Sequence, residues 1–128
     1  MNIPDDLRYT KDHEWARQKG TTILVGITDF AQDQLGDVVF VELPAVGDQV
    51  KRGESFGVVE STKAVSELFA PISGKVVEVN GPLLEAPESI NEDPYQEGWM
   101  IAIEPSDPKE LAGLLDAKAY QAHVAEQG

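Results

Sequence analysis

The side chain best placed for chemistry is Lys63, the only basic residue between Arg52 and Lys75, within Glu60-Ser61-Thr62-Lys63-Ala64-Val65. Its primary amine is a candidate for covalent attachment. The runs Phe56 to Val59, Ser66 to Phe69 and Lys75 to Val79 are rich in β-formers, while Ser61 and Thr62 are compatible with a turn. Lys63 is therefore expected at the tip of a hairpin, where an enzyme can reach the amine while two strands hold the loop still. The competing reading is an ordinary solvated loop lysine.

Other chemistry is sparse. His13 and His123 are the only histidines, and no HExxH, GxSxG, P-loop or dinucleotide glycine pattern occurs. His13 and Glu14 fall in a predicted strand, where neighbouring side chains point to opposite faces, so they are not expected to act as a pair. A structural role is expected for His13, and a helix-terminal one for His123. Asp29, Asp33 and Asp37 recur at four-residue spacing, but Gly36 ends the helix before Asp37 and no EF-hand ligand series is present, so they read as caps and surface charges. The absence of cysteine excludes disulfides, cysteine nucleophiles and thiolate metal sites. With no convergent acid, base and nucleophile, an enzyme is the least supported class.

The elements that must position Lys63 are legible from turn signals. Strands are expected over Asp12 to Arg17, Thr21 to Ile27 and Asp37 to Leu43, with a helix from Asp29 to Leu35 capped by Thr28 or Asp29 and closed by Gly36. Val38-Val39-Phe40-Val41 is nearly continuous apolar sequence, as in a strand buried on both sides or covered at its edge. The attachment hairpin spans about 49–80. Within it, Gly47-Asp48-Gln49-Val50 echoes Gly74-Lys75-Val76-Val77, with Val50 and Val76 each thirteen positions from Lys63, a symmetry suited to two similar half-sheets face to face. Residues 81–98 read as loop with one helical turn near Pro87 to Asn91. Trp99 to Ile103 is expected to close the sheet, with Trp15 and Trp99 as apolar anchors. Asp107-Pro108-Lys109-Glu110 resembles a capping box opening a C-terminal helical segment of about 108–126. Leu111, Leu114 and Leu115 form its first apolar face, and Ala119, Tyr120 and Val124 that of a second stretch from near Asp116.

At 128 residues, 41% hydrophobic and 26% charged, the chain is expected to form one domain, residues 1–128. Its formal charge of -13, from 23 acidic and 10 basic side chains, opposes phosphate backbones and anionic lipid, so neither nucleic acid nor membrane is an expected partner. Met1 to Asp6 lacks the basic start and apolar run of a secretory signal and is too acidic for a transit peptide, so a cytoplasmic or already processed protein is expected.

The tip motif, with Ala70-Pro71-Ile72-Ser73-Gly74 downstream, resembles the attachment hairpin of biotinyl and lipoyl carriers. Five further segments resemble the H-protein family of the glycine cleavage system: Tyr9 to Trp15, Val25 to Asp29, Gly36 to Pro44, Asn91 to Tyr95 and Gly98 to Ile101. The resemblance implies a mainly β fold, a barrel-sandwich hybrid of two antiparallel sheets with short helices and a C-terminal helix. It implies lipoic acid joined to Lys63 by an amide, on a non-catalytic carrier. The implied partners are a lipoylating enzyme, glycine decarboxylase, aminomethyltransferase and dihydrolipoyl dehydrogenase. It also implies a cleft that shelters the aminomethyl cargo, for whose ammonium Glu14, with Asp12 and Glu67, are the candidate carboxylates. Thr62 departs from the aliphatic residue often found there, and Gln34 from the histidine of some members. A 2-oxoacid dehydrogenase lipoyl module would more often carry Asp-Lys-Ala, and a biotin carrier methionines beside the lysine. An acidic binding scaffold with Lys63 unmodified is the alternative from another class.

Overall fold

In the computed structural model, which describes residues 1–127, the β-forming runs pair into two antiparallel sheets. The larger has the order β1 (Arg8–Tyr9), β2 (Glu14–Lys19), β3 (Thr22–Ile27), β9 (Ile101–Pro105), β8 (Gly74–Val79), β5 (Gln49–Val50). The smaller is β4 (Val38–Glu42), β6 (Ser55–Ser61), β7 (Val65–Phe69). Helices α1 (Asp29–Leu35), α2 (Pro82–Glu85) and α3 (Ser89–Glu92) lie in the connections, and α4 (Lys109–Ala112) and α5 (Ala117–Gln127) follow the last strand. None of them is long and apolar enough to cross a membrane.

Alternation along the strands makes two cores. Ile23, Val25, Val76, Ile101 and Ile103 of the large sheet share one apolar cluster with Val41, Val59 and Leu68 of the small one, all essentially inaccessible to water. Each such side chain contributes roughly 1.5–3 kcal/mol by burial. Leu24 and Ala102 point the other way, into a second cluster with Trp15, Tyr9 and Tyr120. Tyr9 and Tyr120 stack at 4.5 Å between ring centroids, which fastens α5 over that face.

Several expectations change. β2 begins at Glu14 rather than Asp12, because His13 takes a φ of 70° that no extended strand permits. β4 is an edge strand with an irregularity between Val38 and Phe40, so Val39 and Phe40 are about half exposed instead of buried. The echoed segments are not halves of two facing sheets. They pair with each other inside the large sheet, Gln49 opposite Lys75 and Val50 opposite Gly74. Trp99 lies two residues before β9, half-buried. α2 was not anticipated in the loop 81–98, where α3 falls close to the expected turn.

The C-terminal segment is divided. α4 is a single turn, after which Leu115 pairs with Tyr9 through two backbone hydrogen bonds before α5 starts. The capping box does not close, since the Glu110 carboxylate instead accepts from the amide and hydroxyl of Ser73. On α5 the buried residues are Ala117 and Tyr120, one turn apart, with Val124 half-buried a turn further on; Ala119 lies off that stripe and is exposed.

Candidate functional site

Lys63 sits between β6 and β7 with its side chain exposed. Ser61 builds the tip: its amide donates to the carbonyl of Ala64 at 2.8 Å, and its hydroxyl accepts from the amides of Lys63 (3.2 Å) and Ala64 (3.0 Å). Thr62 ties the tip sideways, its amide donating to the carbonyl of Asp37 at 3.0 Å. The lysine stem lies over Gly36, the residue closing α1. A Cβ there would stand 3.3 Å from Lys63 Cε, and the residue's φ of 80° further favours glycine. Ser61 and Gly36 were not singled out as site residues in the sequence. The signals were a hydroxyl two residues before the lysine and a glycine after the helix.

Beside this seat lies a cavity of about 180 Å³ whose lining includes Asp12, Glu14 and Glu67, together with Phe30, Gln34 and Leu35. The structure thus brings the three nominated acids to one cleft. Its α1 wall ends at the glycine under the lysine stem. Gln34, the departure from the family pattern, is part of that wall.

Glu14 differs from the other two acids. Asp12 and Glu67 are exposed, whereas Glu14 is 2% exposed and starts β2 at the floor of the cleft. The Thr10 hydroxyl donates to its Oε1 at 2.6 Å and the Phe69 amide to its Oε2 at 3.4 Å. Burial pushes its carboxyl up to about 8. The two neutral donors oppose this only in part, and the negative charge of Asp12 adds to it. Glu14 also borders a neighbouring cavity of about 310 Å³ lined by Thr10, Arg52, Phe69 and Leu114. Thr10, four residues before Glu14, is a further partner that the strand assignment hid.

His13 completes the wall. Its Nε2 meets Oε1 of Gln127 at 2.8 Å and its Nδ1 the Tyr120 hydroxyl at 2.8 Å, while its ring packs on Phe30 with centroids 4.6 Å apart. With an amide oxygen as acceptor, the neutral ring carries its proton on Nε2 and accepts at Nδ1. Burial holds its pKa below the usual value. Tyr120 continues the chain to Thr28, which caps α1 through the amide of Ala31. His13 is thereby a structural link between α5 and α1. His123, expected at a helix end, bonds through Nε2 to the carbonyl of Lys11 at 3.0 Å.

A family model described as Glycine cleavage H-protein matches residues 7–127. The chain is 78% identical over 127 residues to the glycine cleavage system H protein of Anaeromyxobacter sp. (strain K), covering 99% of each sequence. It is 60% identical over 121 residues to that of Myxococcus xanthus (strain DK1622), covering 94% of each. The crystal structure of a glycine cleavage system H protein from Mycobacterium marinum matches with a TM-score of 0.89 at 45% identity, over 96% of this chain and 99% of that one.

Proposed function

Since the chain belongs to the glycine cleavage H-protein family, we propose that this carrier component bears lipoate on Lys63 and keeps its cargo in the cleft floored by Glu14. The observation that carries the reading is an exposed amine on a hairpin tip, its stem lying over the end of the same helix whose residues line the cleft. Lipoate held on Lys63 would supply a dithiolane whose S–S bond can be reduced as one sulfur takes up an aminomethyl group; glycine decarboxylase, aminomethyltransferase and dihydrolipoyl dehydrogenase are the partners this reading implies. The residues of this chain do no bond-making in that chemistry. They present, orient and shield.

Amide formation at Nζ removes the one cation of the tip, taking the formal charge from -13 to -14. The ammonium of the cargo then restores a cation that Glu14 holds by a charge-assisted hydrogen bond, with Asp12 and Glu67 at the open side. Without cysteine, the chain offers no thiol to trap the dithiolane by exchange. Residues 1–128 work as one carrier domain in the cytoplasm, with the hairpin 49–80 for attachment and the segment 108–126 bracing the cleft.

The test is intact-mass measurement after expression with lipoate and a lipoate-attaching enzyme. Wild type is expected to gain one lipoyl mass and Lys63→Arg none. A gain in both proteins, or in neither, would overturn the assignment.

A further inference from the structure

The attachment hairpin is steadied from outside its own strands. The carbonyl of Asp37 accepts from the Thr62 amide at 3.0 Å. The amide on the other edge of that same peptide belongs to Val38, and it donates to Oδ1 of Asn91 at 2.8 Å. A trans peptide points its C=O and N–H in opposite directions, so this one plane is gripped by Asn91 on one side and by the lysine loop on the other. The Nδ2 of Asn91 also donates to the Gly36 carbonyl at 2.8 Å and to Oε1 of Gln32 at 3.0 Å. One amide side chain thus fixes both peptides of the turn 36–38, the turn whose Gly36 carries the Lys63 stem.

Asn91 reaches this turn from α3, a four-residue helix 53 residues away from Val38 in sequence. The loop that contains it has other anchors. Asn80 donates to the carbonyls of Glu97 and Trp99 at 2.9 and 2.7 Å, Trp15 Nε1 to that of Pro94 at 2.9 Å, and Arg17 to that of Tyr95 at 2.8 Å. Loss of the Asn91 amide would leave those bonds in place and take two from the turn and one from Gln32, while the turn keeps the Gly36 amide bond to the Gln32 carbonyl and the Thr62 amide bond to the Asp37 carbonyl as backbone ties.

We propose that Asn91 is a positioning residue for carrier loading: by pinning the Asp37–Val38 peptide it fixes the direction in which the hairpin presents Lys63 to the enzyme that modifies it. The proposal rests on Lys63 being the attachment residue. A hairpin that holds the competent orientation for only part of the time is a weaker substrate by that fraction, and the loss falls on KM. Once bound, the enzyme itself holds the loop, so kcat is preserved.

The experiment compares wild type, Asn91→Ala, Asn91→Asp and Asn80→Ala, all in the apo form and at a temperature where circular dichroism reports each as folded. Two readouts are taken: amide hydrogen exchange at Thr62, and kcat and KM for the carrier in lipoylation by a purified lipoate ligase with lipoate and ATP. For Asn91→Ala, exchange at Thr62 is expected about tenfold faster and KM about fivefold higher with kcat within a factor of two, as for a presentation equilibrium. Asn91→Asp keeps an acceptor for Val38 but loses both donors, and falls between alanine and wild type. Asn80→Ala leaves both readouts at their wild-type values. The assignment fails if Asn91→Ala behaves as wild type, if Asn80→Ala matches it, or if neither Asn91 variant folds, which would make Asn91 a residue of the fold alone. A wild-type chain that stays unmodified would sink the attachment reading instead. Thr62 exchange needs no lipoate and still decides whether Asn91 holds the turn.

Discussion

A carboxyl group 2% exposed and met only by neutral donors is an unusual floor for a cleft, and Glu14 derives its properties from that setting. Held up to about 8, it is mostly protonated at neutral pH while the cleft is empty. An ammonium entering the cleft reverses the balance, because a buried carboxylate beside a cation no longer bears the full cost of its charge. On the proposed reading, docking of the cargo ammonium then releases a proton. Retention of the aminomethylated arm is therefore expected to strengthen with pH by up to about tenfold per unit, flattening above pH 8, and to lose this dependence in Glu14→Gln. Lifetimes of the loaded protein in buffers from pH 6 to 9 measure it; parallel profiles for the two proteins would end the assignment. The same group affects stability. Unfolded Glu14 loses its proton near the ordinary 4.5 and folded Glu14 near 8, so between these values the folded state holds the extra proton and stability falls as pH rises. The melting temperature of Glu14→Gln relative to wild type should climb across that window and level off above it.

At the scale of elements, β2 and β3 show how closely the site depends on packing behind it. Trp15 and Gly26 are cross-strand partners, and a Cβ on Gly26 would come within 2.7 Å of the indole ring. The ring has nowhere to retreat, being fully buried and hydrogen-bonded to Pro94. Gly26→Ala is accordingly expected to cost about 1–3 kcal/mol in urea denaturation, a typical overpacking penalty. A variant as stable as wild type would show that the sheet can open at this pair. Such pairs also explain what the sequence could disclose. Lys63 was legible because β-formers flank a turn, and α1 because Thr28 and Gly36 bracket it. The start of β2 was not, since the residues from Asp12 keep a strand-like composition while the backbone at His13 turns left-handed to meet Tyr120, 107 positions later. Asn91 carries no local signal of its role, for its three bonds run to residues more than fifty positions away. The exposed Val39 and Phe40 were misplaced because apolar runs report burial only on average, and an edge strand with an irregular register turns two of them outward.

For the whole molecule the governing quantity is the formal charge of -13, which sets how partners arrive before any contact forms. The outer face of the small sheet carries part of it beside the lysine. Registers align Phe40, Glu60 and Val65 across β4, β6 and β7, and Glu42, Val58 and Glu67 in the next row on the same face. Acidic and apolar side chains thus alternate on one surface, with Phe40 and Val65 well exposed. Carboxylates act over a Debye length, which shrinks from roughly 20 Å to about 6 Å between about 0.02 M and 0.3 M salt, while apolar groups act only in contact. On the proposed attachment at Lys63, a modifying enzyme with basic groups around its active site should therefore associate at least about tenfold more slowly at the higher salt, with dissociation changed far less. Stopped-flow association measures this directly. Neutralising Glu42, Glu60 and Glu67 together as glutamines should flatten the salt dependence, whereas Glu85, Glu88 and Glu97 changed in the same way, at equal net charge, should leave most of it. Equal flattening by both triple variants would place the steering in the net charge. No salt dependence at all would mean that contact at the apolar groups, rather than long-range attraction, governs how this carrier meets its enzymes.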